Sequence, residues 1–231
     1  MPDSELHTTG RPEVLDAILQ DRRSCRAFRP EPVPAHIVER ILEMAQKSPS
    51  WCNTQPWHAT ITSKNATERF RRGLVQHVRS GPHQPDFPFP HAYEGEYRAR
   101  RRHCAAQLYG ALGIEPGDRV ASVGQAMKNF EFFGAPHVAV ITTEDALGVY
   151  GAVDCGLYVG TFLLAAESLG VACIPQAALA GYAEFIREFL GLDNNRKIVC
   201  AISFGYADED HPANGFQTTR EPVANAASWA H

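Results

Sequence analysis

Apolar positions along the chain repeat with a helical period in some stretches and alternate in others. In residues 13–21, Val14, Leu15 and Ile18 share one helical face. The stretch opened by Pro34 repeats the pattern more strongly with Ile37, Val38, Ile41, Leu42 and Ala45, and proline suits a first helical turn. Residues 57–62 alternate and end β-branched, which predicts a strand. Asn65 followed by Glu68 predicts an N-cap with its capping-box partner, opening a helix to about Ser80. Further helices are expected over 94–112 and 118–133, and buried strands over 136–142, 171–174 and 197–206. Residues 182–190 read as a helix stopped by Gly191. The longest helix, 150–169, is apolar nearly all round and carries small residues at Gly151, Ala152, Gly156 and Gly160. Such a helix belongs in a core or a subunit interface, and its glycines let a neighbouring helix come close.

Two stretches resist regular structure. Residues 48–56 form a loop bounded by Pro49 and Pro56. Residues 81–90 hold Pro82, Pro85, Pro88 and Pro90. The second is either a surface connection or an ordered flap over a site. From Ala207 the chain turns polar, with Pro212, Gly215 and Pro222, and reads as an extended arm. There is no internal repeat and no break in composition. Strands set among many helices predict an α+β or α/β unit.

Composition narrows the class. A single unit of 231 residues buries roughly 70% of its unfolded surface, enough for a core. The formal charge of −4 disfavours a general role on nucleic acid or acidic membranes. No run comes near the ~18 apolar residues of a membrane span. The first ten residues carry Asp3, Glu5 and His7 without an apolar block, so no secretory signal is expected. Cys25, Cys52, Cys104, Cys155, Cys173 and Cys200 form no C-x-x-C pair and no zinc spacing. They read as reduced, mostly buried thiols of a cytoplasmic protein, and no metal is expected.

Several common chemistries lack their motifs. The chain has no G-x-x-x-x-G-K-[ST], no G-x-G-x-x-G and no H-E-x-x-H. The segment Ala201-Ile-Ser-Phe-Gly205 lacks the first glycine of a nucleophile elbow.

Four constellations remain. Arg22-Arg23-Ser24-Cys25-Arg26-Ala27-Phe28 packs three guanidiniums and a hydroxyl behind a helix; it is either a solvated basic face or a phosphate grip. Ser48-Pro49-Ser50-Trp51-Cys52-Asn53-Thr54-Gln55-Pro56-Trp57 sets amides beside aromatic planes. That suits a heteroaromatic ring with hydrogen-bonding edges, or a turn whose tryptophans fill core. Gly170-Val-Ala-Cys-Ile-Pro175-Gln176-Ala177 ends a strand on exposed peptide groups. Phe204-Gly205-Tyr206-Ala207 is followed by Thr218-Thr219-Arg220-Glu221-Pro222.

In this order the four resemble the FMN-dependent nitroreductase family, from about Arg22 to Pro222. Arg100-Arg-Arg, Leu108-Tyr109 and Lys128-Asn-Phe-Glu-Phe-Phe-Gly-Ala-Pro136 resemble its nitrobenzoate-reductase branch. The resemblance implies an α+β nitroreductase-like fold. Its central mixed sheet of four to five strands is surrounded by helices, in an intertwined homodimer with an extended C-terminal arm. It implies one domain over 1–231, with 81–112 as a substrate cap and 207–231 as the arm.

It also implies the site. Arg22, Arg23, Ser24, Arg26 and Arg220 would hold the FMN phosphate and ribityl chain, and Gly205 belongs to the late G-Y motif. Pro49, Ser50, Trp51, Asn53 and Gln55 would reach the flavin from the other subunit. Pro175, Gln176 and Ala177 would present a backbone N–H, of Gln176 or Ala177, to flavin N5. No side-chain nucleophile is expected, because the cofactor carries the chemistry. NADH or NADPH, as a transient donor, would give hydride to FMN. A nitroaromatic or similar electron-poor acceptor would then take electrons over the same face, in ping-pong fashion. For the substrate, Trp51, Tyr93, Tyr97 and Phe132 are ring-stacking candidates. Arg98, Arg101 and Arg102 share a helix face from which Arg101 would meet a carboxylate. The same scaffold would also suit reductive dehalogenation, enone or quinone reduction, flavin destruction, or flavin binding without catalysis. An anion- or nucleic-acid-binding module built on residues 98–102 is the reading outside flavin chemistry.

Overall fold

The computed structural model describes residues 10–230. The reading of the first ten residues as lacking a signal falls almost wholly outside it. Four strands, β1 (His58–Ser63), β2 (His137–Glu144), β3 (Ala172–Gln176) and β4 (Arg196–Gly205), form one sheet in the order β1-β2-β4-β3. All three ladders are antiparallel. The expected mixed sheet is thus corrected: its parallel component is one isolated bridge, Ser24 to Cys173, on the outer edge of β3.

β2 is central and buried on both faces, which explains its continuous apolar run. Val138 and Val140 face one core and Ala139 and Ile141 the other, the two-residue alternation of a strand. On the first face lie α3 (Asn65–Ser80) and α8 (Ala183–Leu190), through Phe70, Leu74 and Ile186. On the second lie α2 (Ala35–Ala45) and α6 (Gly148–Ser168), through Ile41, Tyr158 and Phe162. α1 (Arg11–Asp21) packs on α6.

The span Asp145–Ser168 is long and apolar enough to cross a bilayer by length and composition alone. This departs from the expectation that no run comes near such a length. In the fold that apolar surface packs against α2, β2 and β3, while Val149, Tyr150, Val153 and Leu157 remain exposed.

Two local readings are corrected. Asn65 is not an N-cap: Lys64 turns the chain out of β1 at φ 50°, and Asn65 is already helical. Glu68 reaches forward to Arg71 and Arg72 instead of back to a cap. The helix expected over 118–133 ends at Met127, as α5 (Arg119–Met127). Asp118 caps it, accepting from the Ala121 N–H at 2.9 Å. Beyond it the chain folds back through Phe132 and Phe133, both at positive φ, and buries both rings. The helical spacing of aromatic residues past Met127 reflects that burial and not a continuing helix.

The proline-rich stretch is strapped down over its first half. The Gln84 N–H donates to the Gly181 carbonyl at 2.7 Å. The buried Asp86 carboxylate accepts from the Ile198 N–H at 2.7 Å and pairs with Arg187 at 2.5 Å. Residues 88–103, running into α4 (Gly95–Ala111), are exposed.

Candidate active site

The arginine cluster is held along the outer edge of β3. The Cys25 N–H donates to the Cys173 carbonyl at 3.0 Å, extending the sheet by one bridge. The buried side chain of Asn214 clips the segment in place. Its Oδ1 accepts from the Arg26 N–H at 2.7 Å, and its Nδ2 donates to the carbonyls of Ala27 and Asp208. Arg22, Ser24 and Arg26 therefore point together into a cavity of about 330 Å3, which Arg220 also lines. Arg220 arrives from the tail. Gln217 donates to the Gln20 carbonyl at 2.9 Å and accepts from Gln107 of α4, which seats the tail between α1 and α4.

The charges differ in availability. Arg23 lines the same cavity but is already paired with Glu209 at 2.5 Å. Among the described residues, Arg22, Arg26 and Arg220 have no carboxylate within ion-pair distance. Arg26 sits over the Phe216 ring at 5.6 Å, and burial lowers its pKa. A half-buried guanidinium facing a cavity without a carboxylate is arranged to receive an anion.

A second cavity, of about 290 Å3, shares Ser24 and Arg26 with the first and continues along β3 past Pro175, Gln176 and Ala177. Its edge has a definite polarity. Cys173 turns its carbonyl outward to Cys25, so alternate residues of β3 face away from β4. Pro175, the next outward residue, has no N–H and leaves the edge open. Gln176 pairs inward with Ala201, so the next outward N–H is that of Ala177. The Gln176 side chain is buried and fixed, with Oε1 accepting from the Ser203 hydroxyl at 2.5 Å and Nε2 donating to the Asn129 carbonyl at 2.9 Å.

The proline-bounded loop lies elsewhere. It is anchored on α6: the Trp51 N–H donates to the buried Asp154 carboxylate at 3.2 Å, and the Ser48 hydroxyl to that of Thr161 at 2.8 Å. Cys52, Asn53 and Gln55 all have positive φ, a strained backbone held by these anchors and by the Gln55 N–H donating to the Ser50 hydroxyl at 2.9 Å. The Trp51 ring is exposed, edge-on to Tyr150 at 4.8 Å. The loop enters β1 at His58, level with Ile198, whereas Ser24 lies against Cys173, level with Phe204. β1 and β3 are opposite edges of the sheet. The arginine segment lies one spacing beyond β3, so the two motifs are separated by roughly 19 Å across the strands and roughly 20 Å along them. One chain does not bring them together.

Other expectations shift. Phe132, expected at a substrate mouth, is fully buried against Phe70, so its ring fills core. Gly205 is buried in the sheet, where an added Cβ would stand 2.7 Å from Pro136 Cδ; its role is close packing. Tyr93, Tyr97 and Arg101 are exposed at the start of α4, with Arg101 over the Tyr93 ring at 5.2 Å. Burial pushes Cys25 up to about 11 and Cys155 and Cys200 to about 12, so these thiols are inert. Cys52 alone of the six is exposed. Motif reading missed Asn214, Asp154, Thr161 and Gln125, and no local signal marks any of them.

Known proteins share this fold. The chain is 36% identical over 219 residues to nitroreductase NfnB of Mycolicibacterium smegmatis, covering 94% of this chain and 93% of that one. It is 34% identical to a 4-nitrobenzoate reductase of Nocardioides sp., covering 91% and 87%. The crystal structure of the FMN-dependent nitroreductase NfnB from Mycobacterium smegmatis in complex with NADPH superposes with a TM-score of 0.90 at 34% identity, covering 95% of this chain and 99% of that one. Residues 19–206 match the model of the nitroreductase family, so the chain belongs to that family.

Proposed function

We propose that this protein is an FMN-dependent NAD(P)H oxidoreductase acting on a nitroaromatic or similarly electron-poor aromatic acceptor. It works as a cytoplasmic homodimer, with no nucleic-acid or membrane partner. The observation that carries the reading is the convergence of Arg22, Ser24, Arg26 and Arg220 with the outward N–H of Ala177 in adjoining cavities of one chain. Similarity along most of the chain to an FMN-dependent nitroreductase crystallised with NADPH supports it.

The donor set fits FMN. A phosphate meets three guanidiniums and a hydroxyl, with Arg23 in a lesser part. The planar ring meets an apolar wall of Phe133, Ile174 and Ala178. When bound, FMN supplies the redox chemistry, taking hydride from NADPH or NADH and passing electrons to the acceptor in a ping-pong cycle. The chain's own task is to bind, orient and polarise. The Ala177 N–H is the donor for flavin N5, Pro175 keeps the strand edge free, and the fixed Gln176 side chain holds the peptide in place. No side-chain acid or nucleophile is required.

The loop residues Pro49, Ser50, Trp51, Asn53 and Gln55 complete the site from a second copy. Their distance from the arginine cluster within one chain supports this, as does the exposed apolar stripe Val149, Val153 and Leu157 on α6. Gly156 and Gly160 open to free space beside that stripe, where another helix fits. Residues 1–231 act as one domain, with the exposed start of α4 as substrate cap and 207–231 as the arm. Tyr93, Tyr97 and Arg101 of the cap, together with Trp51 of the second copy, meet the acceptor.

Steady-state rates with NADPH and 4-nitrobenzoate test the reading. Parallel double-reciprocal lines are expected; intersecting lines would contradict a shared flavin face. Rates with halogenated, enone and quinone acceptors in the same assay rank the alternatives.

A further inference from the structure

α5 is inverted relative to an ordinary surface helix. It exposes Val120 and Val123, at 86% and 60%, and the one residue it buries is Gln125, at 6%. Among the described residues, the Gln125 Nε2 has no hydrogen-bond partner. A buried amide donor left unmade costs about 1–3 kcal/mol, so the arrangement calls for a ligand.

Gln125 lines the same cavity as Ala177. The other two carboxamides there are already engaged. Gln176 is held by Ser203 and Asn129, and Asn129 Nδ2 donates to the Ala126 carbonyl at 3.0 Å. Gln125 is therefore the unengaged carboxamide beside the outward N–H of Ala177. On an isoalloxazine whose N5 faces Ala177, the neighbouring edge carries C4=O, then N3–H, then C2=O. A carboxamide offers one donor and one acceptor in a plane, the complement of N3–H and an adjoining carbonyl.

We propose that the Gln125 carboxamide pairs with this imide edge of bound FMN, with Nε2–H donating to a ring carbonyl and Oε1 accepting from N3–H. The inference rests on the FMN reading above. The pairing fixes the ring against Ala177, and a donor on a ring carbonyl favours the more electron-rich reduced state.

The test compares FMN with N3-methyl-FMN, which lacks the N3–H, on flavin-free wild type and on Gln125→Leu. Wild type should bind N3-methyl-FMN about 10-fold more weakly than FMN, the effect of one buried hydrogen bond. Gln125→Leu should bind FMN about 10-fold more weakly, lose the distinction between the two flavins, and hold FMN at a more negative midpoint potential. The wild-type comparison stands by itself should the variant misfold. Equal wild-type affinity for both flavins, or a variant with wild-type affinity and potential, overturns the pairing alone. A wild type with no affinity for FMN overturns the cofactor reading as well.

Discussion

The double substitution Arg26→Met/Arg220→Met should weaken FMN binding by about 100-fold to 10,000-fold. Each guanidinium makes charge-assisted contacts of about 1.5–3 kcal/mol with a phosphate, and every 1.4 kcal/mol is tenfold. These residues differ from ordinary surface charges, whose removal costs almost nothing. Arg26 is half-buried and its pKa is lowered by burial, so its charge is held at a desolvation cost with no carboxylate beside it. Among the described residues, Arg220 bonds only to the Thr218 carbonyl and hydroxyl and the Thr219 carbonyl. Methionine keeps an unbranched apolar side chain beside Phe216 in place of the guanidinium that lies over its ring, so the fold should survive, as an unchanged melting temperature would show. Riboflavin provides the internal control. Wild type should prefer FMN to riboflavin strongly, and the double variant should barely distinguish them. Arg23→Met should cost little, because Arg23 already faces Glu209. An unchanged FMN affinity in the double variant would remove the phosphate site from these residues.

The second large effect is complementation between two inactive proteins. Arg26→Met/Arg220→Met lacks the phosphate grip, and Asn53→Leu removes the amide of the proline-bounded loop. Each homodimer carries two damaged sites. A random mixture forms half heterodimers, each with one intact site, so roughly a quarter of wild-type sites should return on subunit exchange. This follows from the diagonal placement of the motifs across the sheet, His58 level with Ile198 and Ser24 level with Phe204. If one chain supplied both, mixing would restore nothing. Recovery of activity and of bound flavin together, in an exchanged sample only, is the expected result.

Much of the fold was legible in the chain. β2 reads as a strand because Val138 to Ile141 are apolar on both faces, and α2 because its apolar positions recur at helical spacing. Where reading failed, a long-range partner decided the local geometry. Phe130, Phe132 and Phe133 look like more of α5, but a core filled by Phe70 on α3 draws Phe132 inward and breaks the helix. Asn65 fits a cap by spacing, but the short connection from β1 puts the turn at Lys64. The phosphate cluster was readable because its chemistry lies in five consecutive residues. Its clip, Asn214, was not, because it meets Arg26 across 188 positions. Asp154 likewise has meaning only once α6 is packed under the loop, 103 positions from Trp51. Gln125 carries no motif at all and stands out only when its helix is seen to turn the wrong side inward.

Anaerobic titration of the FMN-loaded protein with NADPH and with NADH decides whether this chain reduces its flavin. The flavin absorbance near its visible maximum should bleach stoichiometrically with at least one of them. It should then return in full when 4-nitrobenzoate is added without oxygen. A flavin that stays oxidised with both nicotinamides would contradict the reductase reading and leave a protein that binds FMN without turning it over.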